Sequence, residues 1–569
     1  MAKLIEWQDV SFTYRQRQDP SISHISLTIE QGDFVLLTGA TGCGKSTLLK
    51  TLNGLIPQES GGLLTGDVFV AGENTRDCTI AYLSQSVGMV FQSPDDQIFS
   101  TTVFDETAFV LENMGMGAVD IQSRVHETLR LVGLYDQRDS SIYALSGGQK
   151  QRLAVASVLA ARPKILALDE PISQLDPQGA AELLSLLQKL NRELNMTIVI
   201  VEHRLHEVLP LCRHVVIMAD GKILWQGTRE EAYGKAAFFH DQGLRLPQTI
   251  DICYGLGILN RSASVNDTVQ AIKEQYQVPA WHCTPKEIRP DAVSLPLAAV
   301  EINHLTFQYE AQGRMILQDI ELRIPQGQFV ALMGTNGAGK STLLHQIGGL
   351  LKPVKGQVRV LGQIIHGMNQ NVGMVLQNPD LMLFNSSVAA EVTFSLQQKN
   401  GQVGYSFRYE QLMDALKLRG LENDFPLALS RGQRLRVAIA AVLSAEPPVL
   451  LLDEPTTGQD IGHIEDIVAL LKEYTVQGGT VIFCTHDTEV AARFSDRIIV
   501  LGQGKIVADD TPQVVFSQEA LLRENGLKAP SALLTAKNLY DGQAVTVQEV
   551  VDYVRQEGVG SYAGPYAVS

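Results

Sequence analysis

Residues 38–47 read TGATGCGKST, and residues 333–342 read MGTNGAGKST. Each stretch follows a short apolar run, DFVLLTG in the first case and QFVALMG in the second. Each also leads into residues with helical spacing, KSTLLKTLNGL and KSTLLHQIGGL. A strand, a glycine-rich turn ending in Lys-Ser-Thr and a helix together make a phosphate-binding loop. The glycines let successive backbone N–H groups converge on phosphate oxygens, and the helix N-terminus adds partial positive charge. One such loop marks a user of nucleotides. Two raise the question of whether the chain holds two engines or two halves of one.

The rest of the chain is duplicated as well. Lys45 and Lys340 lie 295 residues apart, and the same offset relates VSFTY, ending at Tyr14, to LTFQY, ending at Tyr309. VGMVFQSPDDQIF from Val87 matches VGMVLQNPDLMLF from Val372 at 285, while ALSGGQKQRLAVA and LALDEP match ALSRGQRLRVAIA and LLLDEP at 284. The tails GLRLP from Gly243 and GLKAP from Gly526 also correspond. Repeats this long make a two-domain tandem, not a solenoid. The expected division is 1–242 for the first domain, 243–298 for its C-terminal extension and the linker, 299–525 for the second domain and 526–569 for its extension. The fall in offset from 295 to 285 places about ten extra residues in the first copy, read as a surface loop near QESGGLLTGDV. Continuous apolar strands such as KILALDEP, TIVIVEH, VLLLDEP and TVIFCTH, alternating with helices, indicate an α/β fold with a parallel sheet covered on both faces.

Size and composition agree. A chain of 569 residues exceeds one compact core. The net charge of −16 argues against a general nucleic-acid binder, which holds phosphate backbones with Lys and Arg. Six scattered cysteines without a CxxC pair point to a reducing compartment, and Cys43 inside the first loop reads as a small filler. No apolar run approaches the ~18 residues of a membrane span, and the N-terminus does not read as a signal peptide. The chain is expected to be cytoplasmic and soluble, with any membrane work done through other subunits.

The motifs carry a coherent chemistry. Lys45 and Lys340 are placed to reach the β- and γ-phosphates of ATP, and Ser46 and Ser341 to hold Mg²⁺, with Thr47 and Thr342 beside them. Gly39, Gly42 and Gly44, and Gly334, Gly337 and Gly339, shape the two cradles. Asp169 and Asp453 end apolar strands and suit the Mg²⁺ shell, and Glu170 and Glu454 are placed to polarise a water attacking the γ-phosphate. Ser146 with Gly148 and Gln149, and Ser430 with Gly432 and Gln433, stand at the starts of amphipathic helices as second anion sites. A simple N-cap accounts for the serine but leaves the glycines and the glutamine unexplained.

Phosphate loop, Gln92, LSGGQ, LDEP and the strand-ending His203 together resemble the ATPase domain of ATP-binding-cassette (ABC) proteins, in both copies and over nearly the whole chain. QSPDDQIFS and the GLRLP tail further resemble the ATPases of energy-coupling-factor (ECF) importers, above all the fused two-copy forms. The resemblance implies two tandem P-loop ABC domains, each with a mainly parallel core sheet, an antiparallel β subdomain and a helical signature subdomain. It implies an internal pseudo-dimer in which each ATP lies between one phosphate loop and the opposite signature. One site would join Lys45, Ser46, Gln92, Asp169, Glu170 and His203 to Ser430, Gly432 and Gln433. The other would join Lys340, Ser341, Gln377, Asp453, Glu454 and His486 to Ser146, Gly148 and Gln149. Gln92 and Gln377 would touch Mg²⁺ and membrane subunits, and Tyr14 and Tyr309 would stack on adenine. The implied partners are a transmembrane energy-coupling subunit and a membrane-embedded substrate-binding subunit at the cytoplasmic face of the cell membrane. The implied cargo is a vitamin, a vitamin precursor or a transition-metal ion.

Two departures stand out. The second signature reads LSRGQ, with Arg431 in place of a glycine, and VEHR around His203 lacks the threonine and aspartate of CTHD around His486. Both sites keep the lysine, aspartate, glutamate and histidine, so both are expected to bind and hydrolyse ATP. Tandem ABC proteins acting on ribosomes and the ATPases of exporters are the alternatives. The former carry a highly charged helical linker, whereas residues 229–299 hold 7 Lys/Arg, 8 Asp/Glu and several prolines.

Overall fold

The computed structural model describes residues 3–15, 18–173, 175–259, 262–280, 297–310, 313–397, 405–456 and 461–560. The proline-containing linker TPKEIRPDAVSLPL lies outside the described residues up to its last leucine, as does Cys283. The chain divides into two compact units, residues 1–247 with 261–263, and residues 248–260 with 264–569.

In the first unit a six-stranded sheet runs in the order Lys222–Thr228, His214–Ala219, Phe34–Gly39, Thr197–Val201, Ile165–Asp169, Val87–Val90. All neighbours are parallel except the first pair. The strands read as unbroken apolar runs because both faces are covered, and Thr197–Val201 is buried at every position. A separate antiparallel sheet of Ile22–Glu30, Lys3–Thr13, Leu63–Val70 and Glu73–Asn74 packs its inner residues Ile5, Trp7 and Phe12 with Leu37, Leu48 and Val201. Helices Val103–Asn113, Ala118–Leu131 and Gly147–Leu159 form the third part.

The second unit repeats this plan. Its core sheet runs Val372–Val375, Val449–Asp453, Thr480–Cys484, Phe329–Met333, Arg497–Gly502, Lys505–Asp510, which is the same order read from the other edge. Its antiparallel sheet is Leu317–Pro325, Ala298–Phe307, Lys355–Val360, Gln363–Ile364. The α/β class and the tandem arrangement expected from the sequence are therefore both present.

Strand register relocates the extra residues of the first copy. Ser11 pairs with Thr65 and Ile5 with Val70, while Thr306 pairs with Lys355 and Val300 with Val360, so the offset here is 290. About half of the insertion therefore precedes the strand Leu63–Val70, near the expected loop. The other half follows it, where the first copy carries the short helix Ile80–Leu83.

The tails show a second feature that the offsets did not reveal. From Gln248 onward, the extension expected over 243–298 folds together with the tail of the second copy. Helices Gln248–Gly255 and Val265–Gln275 pack on Ser531–Tyr540 and Val547–Glu557 around Ile252, Leu256, Ile272, Leu539, Val550 and Val554. Tyr276–Gln277 pairs antiparallel with Val559–Gly560, and Gln248 Oε1 accepts from Ala532 N at 2.9 Å. Each tail offers only two short amphipathic helices, too little to enclose a core alone, and the pair supplies both walls.

Candidate functional site

In the first unit the central strand Phe34–Gly39 ends at Gly39, whose φ of 145° is closed to side-chain-bearing residues. A Cβ there would stand 2.1 Å from the Met218 carbonyl oxygen. The turn delivers Lys45 to the start of the helix Lys45–Lys50, where its buried Nζ donates to Gly39 O and Ala40 O, both at 2.9 Å. Lys340 Nζ donates in the same way to Gly334 O at 2.8 Å and Thr335 O at 3.0 Å. Cys43 is buried in the turn and burial pushes its thiol up, so it fits the filler role and not that of a nucleophile.

Thr47 and Thr342 hold the two tyrosines. Tyr14 OH lies 3.2 Å from Thr47 Oγ1, and Tyr309 OH lies 3.1 Å from Thr342 Oγ1. Each ring is edge-on to a strand phenylalanine, Phe12 at 4.7 Å and Phe307 at 5.0 Å. The aromatic is thereby fixed to the phosphate loop itself.

The acidic strand ends lie against the loops. Ser46 Oγ donates to Asp169 Oδ1 at 3.0 Å, and Ser341 hydrogen-bonds to Asp453. Burial raises both aspartates above the usual carboxylate range, and the neighbouring Glu170 and Glu454 add to this. Oδ1 of Asp453 is buried and has no hydrogen-bond partner among the described residues. Glu170 and Glu454 hold left-handed backbone, with φ of 47° and 52°, a costly conformation for a residue with a Cβ. Glu170 is bracketed: Gln92 Nε2 donates to its Oε2 at 2.7 Å, and His203 Nε2 lies 3.2 Å from its Oε1. In the second unit His486 Nδ1 lies 3.1 Å from Glu454 Oε2.

The serines and glutamines of the two signatures cap their own helices. Ser146 Oγ accepts from Gln149 N at 3.3 Å while Ser146 N donates to Gln149 Oε1 at 2.8 Å, and Ser430 with Gln433 repeats this at 3.3 and 3.0 Å. These reciprocal capping boxes account for the glutamine that a serine cap alone did not. Gly148 and Gly432 lie in the first helical turns, as does Arg431.

Several residues escaped the sequence reading. Lys150 pairs with Asp95 at 2.6 Å and Arg434 with Asp380 at 2.8 Å, tying each signature helix to the stretch after Gln92 or Gln377 of the same copy. Buried Glu106 Oε2 accepts from Phe99 N at 3.1 Å and Ser100 N at 2.9 Å, and buried Glu391 Oε2 accepts from Phe384 N and Asn385 N at 2.9 and 2.8 Å. An acid recurring 285 residues apart in ETAF and EVTF was the available signal. The loops so folded present exposed aromatic pairs, Phe99 on Phe109 and Phe384 on Phe394, with centroids 4.6 and 4.9 Å apart.

With this geometry in view, comparison places the chain among known proteins. The sequence profile of the ABC transporter family matches residues 22–173 and 317–457. A putative ABC transporter ATP-binding protein of Methanosarcina acetivorans is 42% identical over 96% of this chain and 91% of its own length. One of Methanosarcina mazei is 42% identical over 96% of both chains. Among solved structures, CbiO1 from Clostridium perfringens, described as part of the ABC transporter complex CbiONQ, is 30% identical, with a TM-score of 0.39 over 45% of this chain and all of its own. Two phosphate loops, each facing an acidic strand end, and relatives matched from end to end identify this chain as a member of the ABC transporter family, an ATP-binding ATPase with two cassettes.

Proposed function

We propose that the two cassettes form one ATP-driven engine coupling hydrolysis to import, as in the ECF-type transporters that the sequence resembles. The observation carrying the hydrolytic part is Glu170, held between Gln92 and His203 beside the Ser46–Asp169 pair. A water bound at Glu170 or Glu454 attacks the γ-phosphorus and passes a proton towards the carboxylate, while the bond to the β-phosphate oxygen breaks and ADP leaves. Lys45 and Lys340 neutralise the phosphates, and His203 and His486 hold the glutamates in place. The hydroxyl–carboxylate pairs and the partnerless Oδ1 of Asp453 are hard oxygen donors that fit Mg²⁺. Ser46, Asp169 and Gln92 would hold it in one cassette, and Ser341, Asp453 and Gln377 in the other. When bound, the ion offsets charge on the β- and γ-phosphates.

In the ATP-bound state, Ser430, Gly432 and Gln433 close the site at Lys45, and Ser146, Gly148 and Gln149 close the site at Lys340. The capped helix starts leave further N–H groups of the first turn to meet a phosphate. Tyr14 and Tyr309 stack on adenine. No helix among the described residues is long and apolar enough to cross a membrane, so passage through the bilayer is assigned to separate subunits. The exposed aromatic pairs at Phe99 and Phe384, beside the Gln92 and Gln377 stretches, are the surfaces on which a transmembrane coupling subunit would dock. The chain then works at the cytoplasmic membrane face, and a second membrane subunit selects a vitamin, a vitamin precursor or a metal ion.

Glu170→Gln and Glu454→Gln, made separately and together in the full chain, test the hydrolytic reading. Each single change is expected to lower ATP turnover and the pair to abolish it. Full loss from one with no effect from the other would overturn the claim of two competent sites. Membrane proteins that co-purify with the chain, and the small molecule they retain, test the importer assignment.

A further inference from the structure

The strand Thr197–Val201 of the first cassette runs into Glu202, His203 and Arg204. Glu202 is a fully buried carboxyl that the hydrolytic scheme leaves without a task. Its Oε1 accepts from the backbone N–H of Ile172 at 2.9 Å, and its Oε2 accepts from the backbone N–H of His203 at 3.1 Å. One side chain thus bridges the turn that follows Glu170 and the residue whose imidazole meets Glu170. Arg204 adds to the bridge from the other side, its Nη1 donating to Ile172 O and to Leu175 O, both at 2.9 Å. The turn itself is anchored on Glu170, whose carbonyl accepts from Ser173 Oγ at 2.9 Å, while Glu170 N donates to Val201 O at 2.9 Å. Movement of Ile172 therefore reaches Glu170 within two residues.

Resting on the roles given above to Glu170 and His203, we infer that Glu202 and Arg204 are positioning residues that bind the turn after Glu170 to the His203 strand end, so that glutamate and histidine of the first cassette hold one geometry. The second cassette is built differently. Thr485 and Asp487 occupy the matching places, where Thr485 Oγ1 accepts from Asp487 N at 3.0 Å and Asp487 Oδ1 accepts from Glu489 N and Val490 N at 2.9 and 3.0 Å. A threonine is too short to reach two separated N–H groups, and an aspartate side chain has no N–H to give to carbonyls. Asp487 there caps the helix Thr488–Phe494. The first site is thus pre-organised by a clamp of Glu202 and Arg204, residue types that the second strand end does not repeat. Holding the water-orienting group at its working distance acts on the rate of the chemical step more than on nucleotide affinity.

The test uses the full chain carrying Glu454→Gln, so that turnover reports the first site. In that background Glu202→Thr with Arg204→Asp, which installs the residues of the second cassette, is expected to lower kcat about tenfold while KM for ATP changes less than about twofold. Arg204→Lys, which keeps donors near the carbonyls, is expected to recover part of the loss. Unchanged kcat in the double replacement, or equal losses in kcat and ATP binding, would overturn the inference. Should the double replacement fail to fold, amide hydrogen exchange on the otherwise unaltered chain decides. Ile172 N–H should exchange far more slowly than an exposed turn amide, and fast exchange would refute the clamp. Failure of the underlying reading registers separately, as residual turnover when Glu170→Gln and Glu454→Gln are combined.

Discussion

The strand ends Glu202-His203-Arg204 and Thr485-His486-Asp487 occupy the same place in two copies of one fold, and they spend their side chains differently. Histidine meets glutamate at 3.2 Å in the first and 3.1 Å in the second, so this pair is common to both. Around it, the first copy reaches across to the turn after Glu170, while the second caps the helix that follows. The phosphate loops show no such divergence. Lys45 and Lys340 each donate to two loop carbonyls, with all four distances between 2.8 and 3.0 Å. The contrast teaches that the surroundings of a site drift more readily than the atoms that meet the nucleotide, because a turn can be secured in several ways and a phosphate cradle in few.

The sharpest attempt to break the parallel is Lys45→Ala against Lys340→Ala. Each removes a buried ammonium that donates to two loop carbonyls and that the proposed mechanism sets against phosphate, and each should weaken nucleotide binding at its own site by about a hundredfold, measured by titration of the single variants. A loss at one site only would break the equivalence of the loops.

Next in size is Glu106→Ala against Glu391→Ala. Each strands two backbone N–H groups, at Phe99 and Ser100 or at Phe384 and Asn385, which costs about 2–4 kcal/mol in a denaturant melt. Closely matched losses would support shared construction of the two aromatic loops. If one loss is absent, the loops are built on different supports.

A third comparison concerns pH. Burial, with the charge of Glu170, pushes the Glu202 carboxyl from an ordinary 4.5 up to about 8, against the pull of the Ile172 and His203 N–H groups and Arg204. Between those values the folded chain keeps a proton that the unfolded chain has released, so this residue makes stability fall as pH rises through the window. Glu202→Gln should flatten that slope, and thermal melts from pH 5 to about 8 would detect it. An unchanged slope would show that another group carries it. Thr485 gives the second copy no ionisable group at the matching position.

Much of this was legible in the sequence because it is local or repeated. Lys-Ser-Thr after a glycine turn, the acid pair ending an apolar strand and the serine before an amphipathic helix each occupy consecutive residues. What escaped was held by partners remote in the chain. The resemblance joined Gln92 and Glu170 in one site but not the hydrogen bond that links them across 78 residues, and the pairing of Glu202 with Ile172, 30 residues away, was not read at all. The capping contact of Gln149 was also missed, although Ser146 and Gln149 stand at the spacing of a capping box. The single insertion expected near QESGGLLTGDV proved to be split about the strand Leu63–Val70, since an offset counts residues without saying where they fold.

By itself, the sequence determined that this protein consists of two α/β halves with two phosphate loops, because glycine conformations and apolar strand runs are properties of short segments. Only the tertiary structure decided that tail helices from both copies share one core, and that a buried glutamate and an arginine tie the first strand end to the turn after Glu170. Short amphipathic helices do not specify their partner until packing excludes water between them, and a buried carboxyl does not reveal its donors until distant turns are brought against it.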